Sequence, residues 1–431
     1  MYNNKFLTKK INGLLRAVGF VAATLGVLAT QANAQQLAFP GAEGFGRFAT
    51  GGRGGAVYHV TNLNDKGDGS FRDAVSKPNR IIVFDVTGVI KITDKIAAAP
   101  KITIAGQTAP GQGIVVYGNG VSFADSSIIR YMRFRGSINM PRGACTVVAD
   151  NCKDVIFDHV SVEWGRWDNF HIKGSSNITL QYCLIGEPID PQRFGALFES
   201  PVNITVHHSL WIDNQSRNPK AKAGIEYINN VVYNWGVNGF VGGHSAAIHN
   251  QDVINNYFIA GPNSGHAFIG MFTATDHVYH KGNYVDLNKD GKLNGRLTVD
   301  SDFVKRGLTL LKQPNFKSSV KIESATEAYQ KILAEAGASI QRDAVDSRII
   351  GYLKSLGKEG VIFKSEVDAG GQQELPEARS LADSNRNGIP DNWESTHKVN
   401  AQNTANANKV ENDGYTRLEK YLNDLVLTKG K

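Results

Sequence analysis

Residues 155–172 read VIFDHVSVEWGRWDNFHI, residues 177–188 read NITLQYCLIGEP, and residues 203–222 read NITVHHSLWIDNQSRNPKAK. Each segment opens on a short run in which apolar and polar residues alternate, the period of a half-buried strand. Each run ends in polar residues or in Gly and Pro, which punctuate strands. Similar runs precede them: IIVFDVTGVI from Ile81, KITIAGQ from Lys101, GIVVYG from Gly113 and SIIRYMRFRG from Ser127. Setting corresponding positions in one column gives Met132, His159, Tyr182, His208, Asn230, Asn256 and Asn283, at spacings of 27, 23, 26, 22, 26 and 27. One strand pattern per period in the twenties, with no helix between, points to an all-β parallel solenoid. A sandwich would turn every ~8–12 residues, with hairpins. The column predicts an asparagine ladder of Asn230, Asn256 and Asn283 at a bend. Asp158, His159 and His208, polar residues near turns, are expected to be satisfied locally.

The ends of the chain read differently. Lys5, Lys9, Lys10 and Arg16 precede an apolar run from Ala17 to Ala29 and a small-x-small sequence, Ala32-Asn33-Ala34. That is the pattern of a signal peptide over 1–34, cleaved between Ala34 and Gln35, and the run is short of the roughly 20 residues that span a bilayer. The mature protein is therefore expected to be exported, to the periplasm or beyond. The leader holds four positive charges and no negative ones, so the net charge falls from +7 to +3 on its removal. A mature chain so nearly neutral is a poor general binder of nucleic acid, and nothing in it requires an oligomer. Forty-five glycines against four methionines suit a chain of tight turns. Cys145, Cys152 and Cys183 could include one disulfide or could all be buried thiols, and they lack zinc-ligand spacing.

Glycine-rich Gly41 to Gly55 has no preceding strand and no βαβ unit, which argues against a phosphate loop. Ser70 to Ser76 reads as a short helix with Ser70 as N-cap. The β-solenoid is assigned to 35–305. Helical periodicity over Ser324 to Ala336 and Asp343 to Leu356 marks 306–375 as a capping or packing segment. In the tail, 376–431, Asp383, Asn385, Asn387, Asp391 and Glu394 stand at positions 1, 3, 5, 9 and 12 of a calcium loop. Gly388 is at position 6, and Ile389 would give its carbonyl at position 7. A weaker copy begins at Asp286 and has Leu297 in place of the last carboxylate. A helix is expected from Gly414 to Leu425.

Nine residues beyond the column residue stand Asp168 after His159 and Arg217 after His208. Two coils apart, their backbones should be about 10 Å apart along the axis. The coil between carries Glu187, Asp190 and Arg193, and Lys220 and Lys222 follow Arg217. Carboxylates facing cations suit metal-bridged binding of an anionic ligand. A solvated charged edge would carry the same pattern.

FPGAEGFG from Phe39 with GGRGG from Gly51, the Val155-Ile-Phe-Asp158-His159 segment, and Ser216-Arg217-Asn218-Pro219 together resemble the pectate lyases of polysaccharide lyase family 1. The resemblance runs from Phe39 to Leu287, and the tail is similar to that of longer bacterial members. It implies a right-handed parallel β-helix with short helical caps, and calcium-dependent β-elimination on polygalacturonate or pectin. It implies Arg217, in an Arg-x-Pro motif, as the catalytic base. By the same resemblance Lys222 and, less directly, Arg193 are expected to bind substrate and Asp168 to hold Ca2+, while Lys220 is added as a substrate contact and Glu187 as a Ca2+ ligand from their place in the charge pattern. Two positions depart from the family pattern: Cys145 or Thr146 stands where an aspartate is usual, and His171 where a second acid is usual. The rival readings are a β-helix glycoside hydrolase using Asp168 and Asp190, and a non-catalytic polysaccharide-binding solenoid displaying Trp164, Trp167, Trp211 and Trp235.

Overall fold

Each alternating segment pairs in parallel with its counterpart one period away, so backbone hydrogen bonds run between coils and not within them. In the computed structural model, which describes residues 35–429 except 266 and 401, these pairings build a parallel β-helix. The described residues from Leu37 onward make one compact unit. The leader expected over 1–34 lies outside the described residues. One coil shows the plan: Lys153–Asp158 enters the first sheet, Ser161–Glu163 the second and Asp168–Lys173 the third. The next coil repeats it with Ser176–Gln181, Leu184–Gly186 and Phe194–Glu199, and the next with Val202–His207, Leu210–Ile212 and Lys220–Lys222.

Side chains alternate across each strand, so one column points into the helix. Ile129, Phe157, Leu180, Val206, Tyr227 and Val253 form such a column in the first sheet, all fully buried. At the bend into the second sheet the expected asparagine ladder is present. The Asn256 side-chain oxygen accepts from the Asn230 backbone N–H at 2.8 Å, and that of Asn283 accepts from Asn256 at 2.9 Å. Their amide groups donate to Val206, Tyr227 and Val253 carbonyls, which leaves this buried corner hydrogen-bonded throughout.

The column itself needs a correction. His159, Tyr182 and His208 lie one residue before the ladder position, which is held in their coils by Val160, Cys183 and Ser209. A one-residue slip moves a side chain to the opposite face. Tyr131, His159, Tyr182 and His208 therefore point outward and stack as a ladder of rings, with centroids 4.6, 4.9 and 5.0 Å apart. Each sits at positive φ, between 50° and 55°. That backbone costs about 1–2 kcal/mol per non-glycine residue, and ring stacking at the strand spacing offsets part of it. Their polar groups are met locally, as expected: Asp158 binds Arg130 and His159, and His208 binds Glu323.

Two of the three faces are covered. The FPGAEGFG segment lies across the first sheet, where Gly46 donates to Thr179 at 2.8 Å. A Cβ at Gly46 would come within 2.3 Å of the Val155 carbonyl, so only glycine fits that approach. The tail covers the same sheet further up, packing Ile389, Leu418 and Leu422 on Ile81 and Val83. The helices Ala325–Glu335 and Ala344–Lys354 lie on the second sheet against Leu184, Leu210, Val231 and Tyr257. Their N-caps are Ser324, in a capping box with Glu327, and Asp343. The helices predicted at Ser70 and in the tail form as Phe71–Ala74, capped by Ser70, and Arg417–Lys429. All three cysteines are free thiols.

A buried ion network pins the second helix. Arg135 contacts Glu163 at 2.9 Å and Asp346 at 2.7 Å, and Arg133 contacts Asp346 at 2.9 Å, with every group nearly or fully buried. Asp343 and Asp346 belong to that helix's first turn, where its dipole also favours anions. Arg135→Ala leaves three carboxylates short of their partner and is expected to cost about 3–5 kcal/mol in denaturant unfolding. A loss under about 1 kcal/mol would show the network to be dispensable.

Candidate active site

The third sheet is the open face, and its register decides what meets there. Asp168 pairs with Phe194, and Phe194 bridges to Ser216, which puts three successive coils in one row with Arg217 beside it. A second row is His171, Leu197 and Lys220, and a third is Lys173, Glu199 and Lys222. Alternation then turns Lys220 and Lys222 to one side and buries Ala221 between them.

Arg217 spans the two-coil gap predicted from the spacing. Its Nη1 donates to both Asp168 oxygens, at 2.9 and 3.1 Å, and its guanidinium lies 4.0 Å over the Phe194 ring. The loop beneath is fixed from several sides. The Arg217 carbonyl accepts from Ala196 N–H at 2.8 Å, and Asn214 donates to the Asn218 side chain at 2.7 Å. The Asn218 side chain donates in turn to the carbonyls of Asn238 and Gly239. Gly195 permits this closeness, because a Cβ there would lie 2.4 Å from the Arg217 carbonyl.

Burial dominates the electrostatics. Asp168 is fully buried, and desolvation pushes its carboxyl up from 3.8 to about 6 although Arg217 pulls the other way. Lys220 is half-buried, and burial together with the charges of Arg217 and Lys222 lowers its ammonium. Lys222 and Lys173 share Glu199, at 3.4 and 3.3 Å.

Other expected residues fall elsewhere. Glu187 is not on this edge: it is fully buried on the helix-covered side, bonded to both Nη atoms of Arg348 and to Trp164 Nε1. It lies at a bend where the chain turns its side chain towards the Ala344–Lys354 helix, so it is not a partner of Asp168. Arg193 is paired within its own loop to Asp190 at 3.1 Å, and its carbonyl accepts from Gln215. Trp164, Trp211 and Trp235 are core side chains with no exposed face, and of the four tryptophans of the binding-solenoid reading Trp167, half-buried beside Asp168, alone reaches the surface. Asp150, Phe194 and Glu199 were missed. Asp150 bonds His171 at 2.9 Å. The two-residue step from Leu197 to Glu199, matching that from Lys220 to Lys222, was the signal for Glu199. Phe194 and Asp150 had none beyond their place in the register.

In the tail, the Asp383 side chain accepts from the backbones of Asn387 and Gly388, and Asp391 accepts from Ser384. Asn387 donates to one oxygen of Glu394, whose other oxygen is buried with no partner among the described residues. In the weaker copy Asp286, Asn288, Asp290 and Asn294 bond one another or nearby backbone N–H groups.

No family model matches the chain. Curated relatives do: a probable pectate lyase C from Aspergillus flavus is 43% identical over 396 residues, covering 90% of this chain and 94% of the relative. One from Aspergillus fumigatus is 42% identical over 402 residues, covering 92% and 96%. The chain belongs to the pectate lyase family. It is a polysaccharide lyase, which sets aside the hydrolase reading. The relatives found are fungal, where bacterial ones were expected, and the likeness extends past the Phe39–Leu287 span. Solved structures agree on the fold. A Bacillus subtilis pectate lyase variant superposes with a TM-score of 0.55 at 14% identity, over 72% of this chain and 99% of that one. A pectate lyase bound to a hexasaccharide gives 0.54 at 14% identity, over 72% and 99%.

The raised carboxyl of Asp168 has a thermodynamic signature. Its folded value lies above its ordinary one, so the native state holds the extra proton between about pH 4 and 6, and stability declines as pH rises through that window. Across it the slope of unfolding free energy against pH should be more negative in the wild type than in Asp168→Asn, the difference being the contribution of this carboxyl. Identical slopes would place the Asp168 carboxyl near its ordinary value.

Proposed function

We propose that the chain is an exported pectate lyase that cleaves polygalacturonate-type chains by β-elimination, with Arg217 as the base. The observation that carries the reading is the Arg217–Asp168 pair set among Lys220 and Lys222 on the one uncovered sheet. Export rests on the basic, apolar and Ala-x-Ala sequence of residues 1–34.

In the reaction the C5 proton of a uronate unit passes to the guanidine of Arg217 as the C5–H bond breaks, the C4–O bond breaks and a C4–C5 double bond forms; the departing oxygen takes a proton from water, and the hydroxide left recovers the proton from Arg217. Charge that develops at C5 spreads into the C6 carboxylate, so cations beside that carboxylate stabilise the transition state. Lys220 and Lys222 are placed to supply them. Asp168 ties down Nη1 of Arg217, which leaves Nε and Nη2 without protein partners among the described residues and available to the substrate. A guanidinium resists losing its proton, with an ordinary value above about 12.

Calcium divides into two questions. On the catalytic edge the donors fit poorly: Asp168 is already engaged by Arg217 and Glu187 lies elsewhere. No three His, Cys, Asp or Glu side chains converge as a metal site among the described residues. No step is assigned to a metal there. The tail loop fits better, because its donors combine carboxylates, amides and the Ile389 carbonyl, and Glu394 has an unpartnered buried oxygen. We assign calcium to Asp383, Asn385, Asn387, Asp391 and Glu394, where it would brace the tail against the first sheet and take no part in chemistry.

Two measurements test these assignments. Formation of the ultraviolet-absorbing unsaturated product from polygalacturonate should fall about a thousandfold in Arg217→Ala. Lys222→Ala should act mainly by raising KM, by about tenfold. Undiminished activity in Arg217→Ala would remove the arginine from the reaction. For the tail, calcium at a hundred times its Kd should add about 2.7 kcal/mol of stability. Chelator should lower Tm in the wild type and leave Glu394→Gln unchanged, and a wild type indifferent to chelator would rule the site out.

A further inference from the structure

Beyond Arg217, on the side away from Asp168, the third sheet sinks into a hollow of about 230 Å³. Phe194, Arg217 and Lys220 form its near wall, and Val237, Val241 and Met271, from the next two coils, form the far one. Val237 and Met271 are 56% and 46% exposed, so they are not there to fill a core. Among the described residues no carboxylate lines the hollow, and its cations are Arg217 and Lys220 at one edge.

A polygalacturonate chain carries a charged carboxylate on every unit. If Lys220 and Lys222 hold the carboxylate of the reacting unit, the next unit on this side meets valine and methionine. A carboxylate laid on that wall would lose hydration and gain no partner. A methyl ester in the same place keeps its carbonyl near Asn238 and puts its methyl group on the apolar wall. The hollow joins the catalytic edge directly, since Phe194, Arg217 and Lys220 belong to both. Its volume equals that of roughly eight water molecules, enough to take part of a sugar ring with its substituent.

We propose that this hollow is the subsite for a methyl-esterified uronate adjacent to the unit that loses its C5 proton, so that the enzyme's substrate is partially esterified pectin. The proposal rests on the lyase reading above. The ester itself is untouched by the reaction: the bonds made and broken are those of the elimination. Burial of one methyl group favours the esterified unit about fourfold, and the stranded carboxylate adds further discrimination.

The test compares kcat/KM for unsaturated product on polygalacturonate and on pectins of intermediate and high esterification. It uses the wild type and a V237K/M271K double variant, whose two sites are exposed and whose fold is checked by Tm. Wild type is expected to prefer intermediate pectin by at least about fivefold. The lysines should shift that ratio about tenfold towards polygalacturonate, mainly through KM. Mass spectrometry of wild-type products should find the methyl ester on the unit next to the cleaved bond. A wild type fastest on polygalacturonate, products unesterified at that unit, or a ratio unmoved by the lysines would each overturn the proposal. Absence of unsaturated product from every uronan would instead sink the lyase reading beneath it, and the two failures are told apart by whether product forms at all.

Discussion

Parallel backbone pairing between successive coils fixes which side chains meet on this molecule. Asp168 and Arg217 are 49 residues apart in sequence, yet Asp168, Phe194 and Ser216 share a row and the ion pair closes at 2.9 Å. The same register stacks Tyr131, His159, Tyr182 and His208 into a ring ladder, and Asn230, Asn256 and Asn283 into a hydrogen-bonded one. Each coil closes through its neighbours, so a side chain gains a partner only at its own height or one coil away. Long arginine and lysine side chains extend that reach, which is why cations bridge coils here.

The two arginine clusters show how surroundings divide structural from chemical roles. Arg135 is fully buried and faces Glu163, Asp343 and Asp346, so every donor is committed and its charge is held firmly. Arg217 has one carboxylate partner, an aromatic face beneath it and lysines nearby. A fully enclosed arginine among three acids can only brace the fold. A partly exposed one among cations keeps donors free for a ligand.

Strand periodicity made the solenoid, the asparagine ladder and the placing of Asp168 and Arg217 two coils apart on one edge legible from the chain alone, because each depends on spacing along a repeating backbone; that the two side chains pair with each other was not read from it. The column slipped by one residue at His159, Tyr182 and His208. The coils there are shorter or longer by a few residues, and Val160, Cys183 and Ser209 carry no amide to mark the ladder. Glu187 was misplaced for a different reason. Its partner Arg348 arrives from a helix more than 160 residues later, and no local pattern announces which face of the solenoid that helix will cover. Asp150 was invisible as a site residue because its contact with His171 depends on the loop of one coil meeting the strand of the next.

Coverage of the three sheets accounts for where chemistry can happen. The N-terminal segment and the tail lie on the first sheet, packing apolar side chains on Ile81, Val83, Ile128 and Ile156. The two helices lie on the second, and their first-turn acids neutralise its buried arginines. Both faces are therefore taken up by covering segments, which their outward residues meet with apolar packing, ion pairs or hydrogen bonds such as those of Thr103, Thr179 and Thr205. The third sheet turns His171, Lys173, Glu199, Lys220 and Lys222 outward, half-buried or exposed, with no helix packed over them among the described residues. A long anionic chain needs positive charge spread over several coils, and among the described residues this face presents Lys173, Lys220 and Lys222 for it. The apolar hollow at its end interrupts the charge where the sheet passes Arg217, so the face reads its ligand's charge pattern unit by unit along the axis.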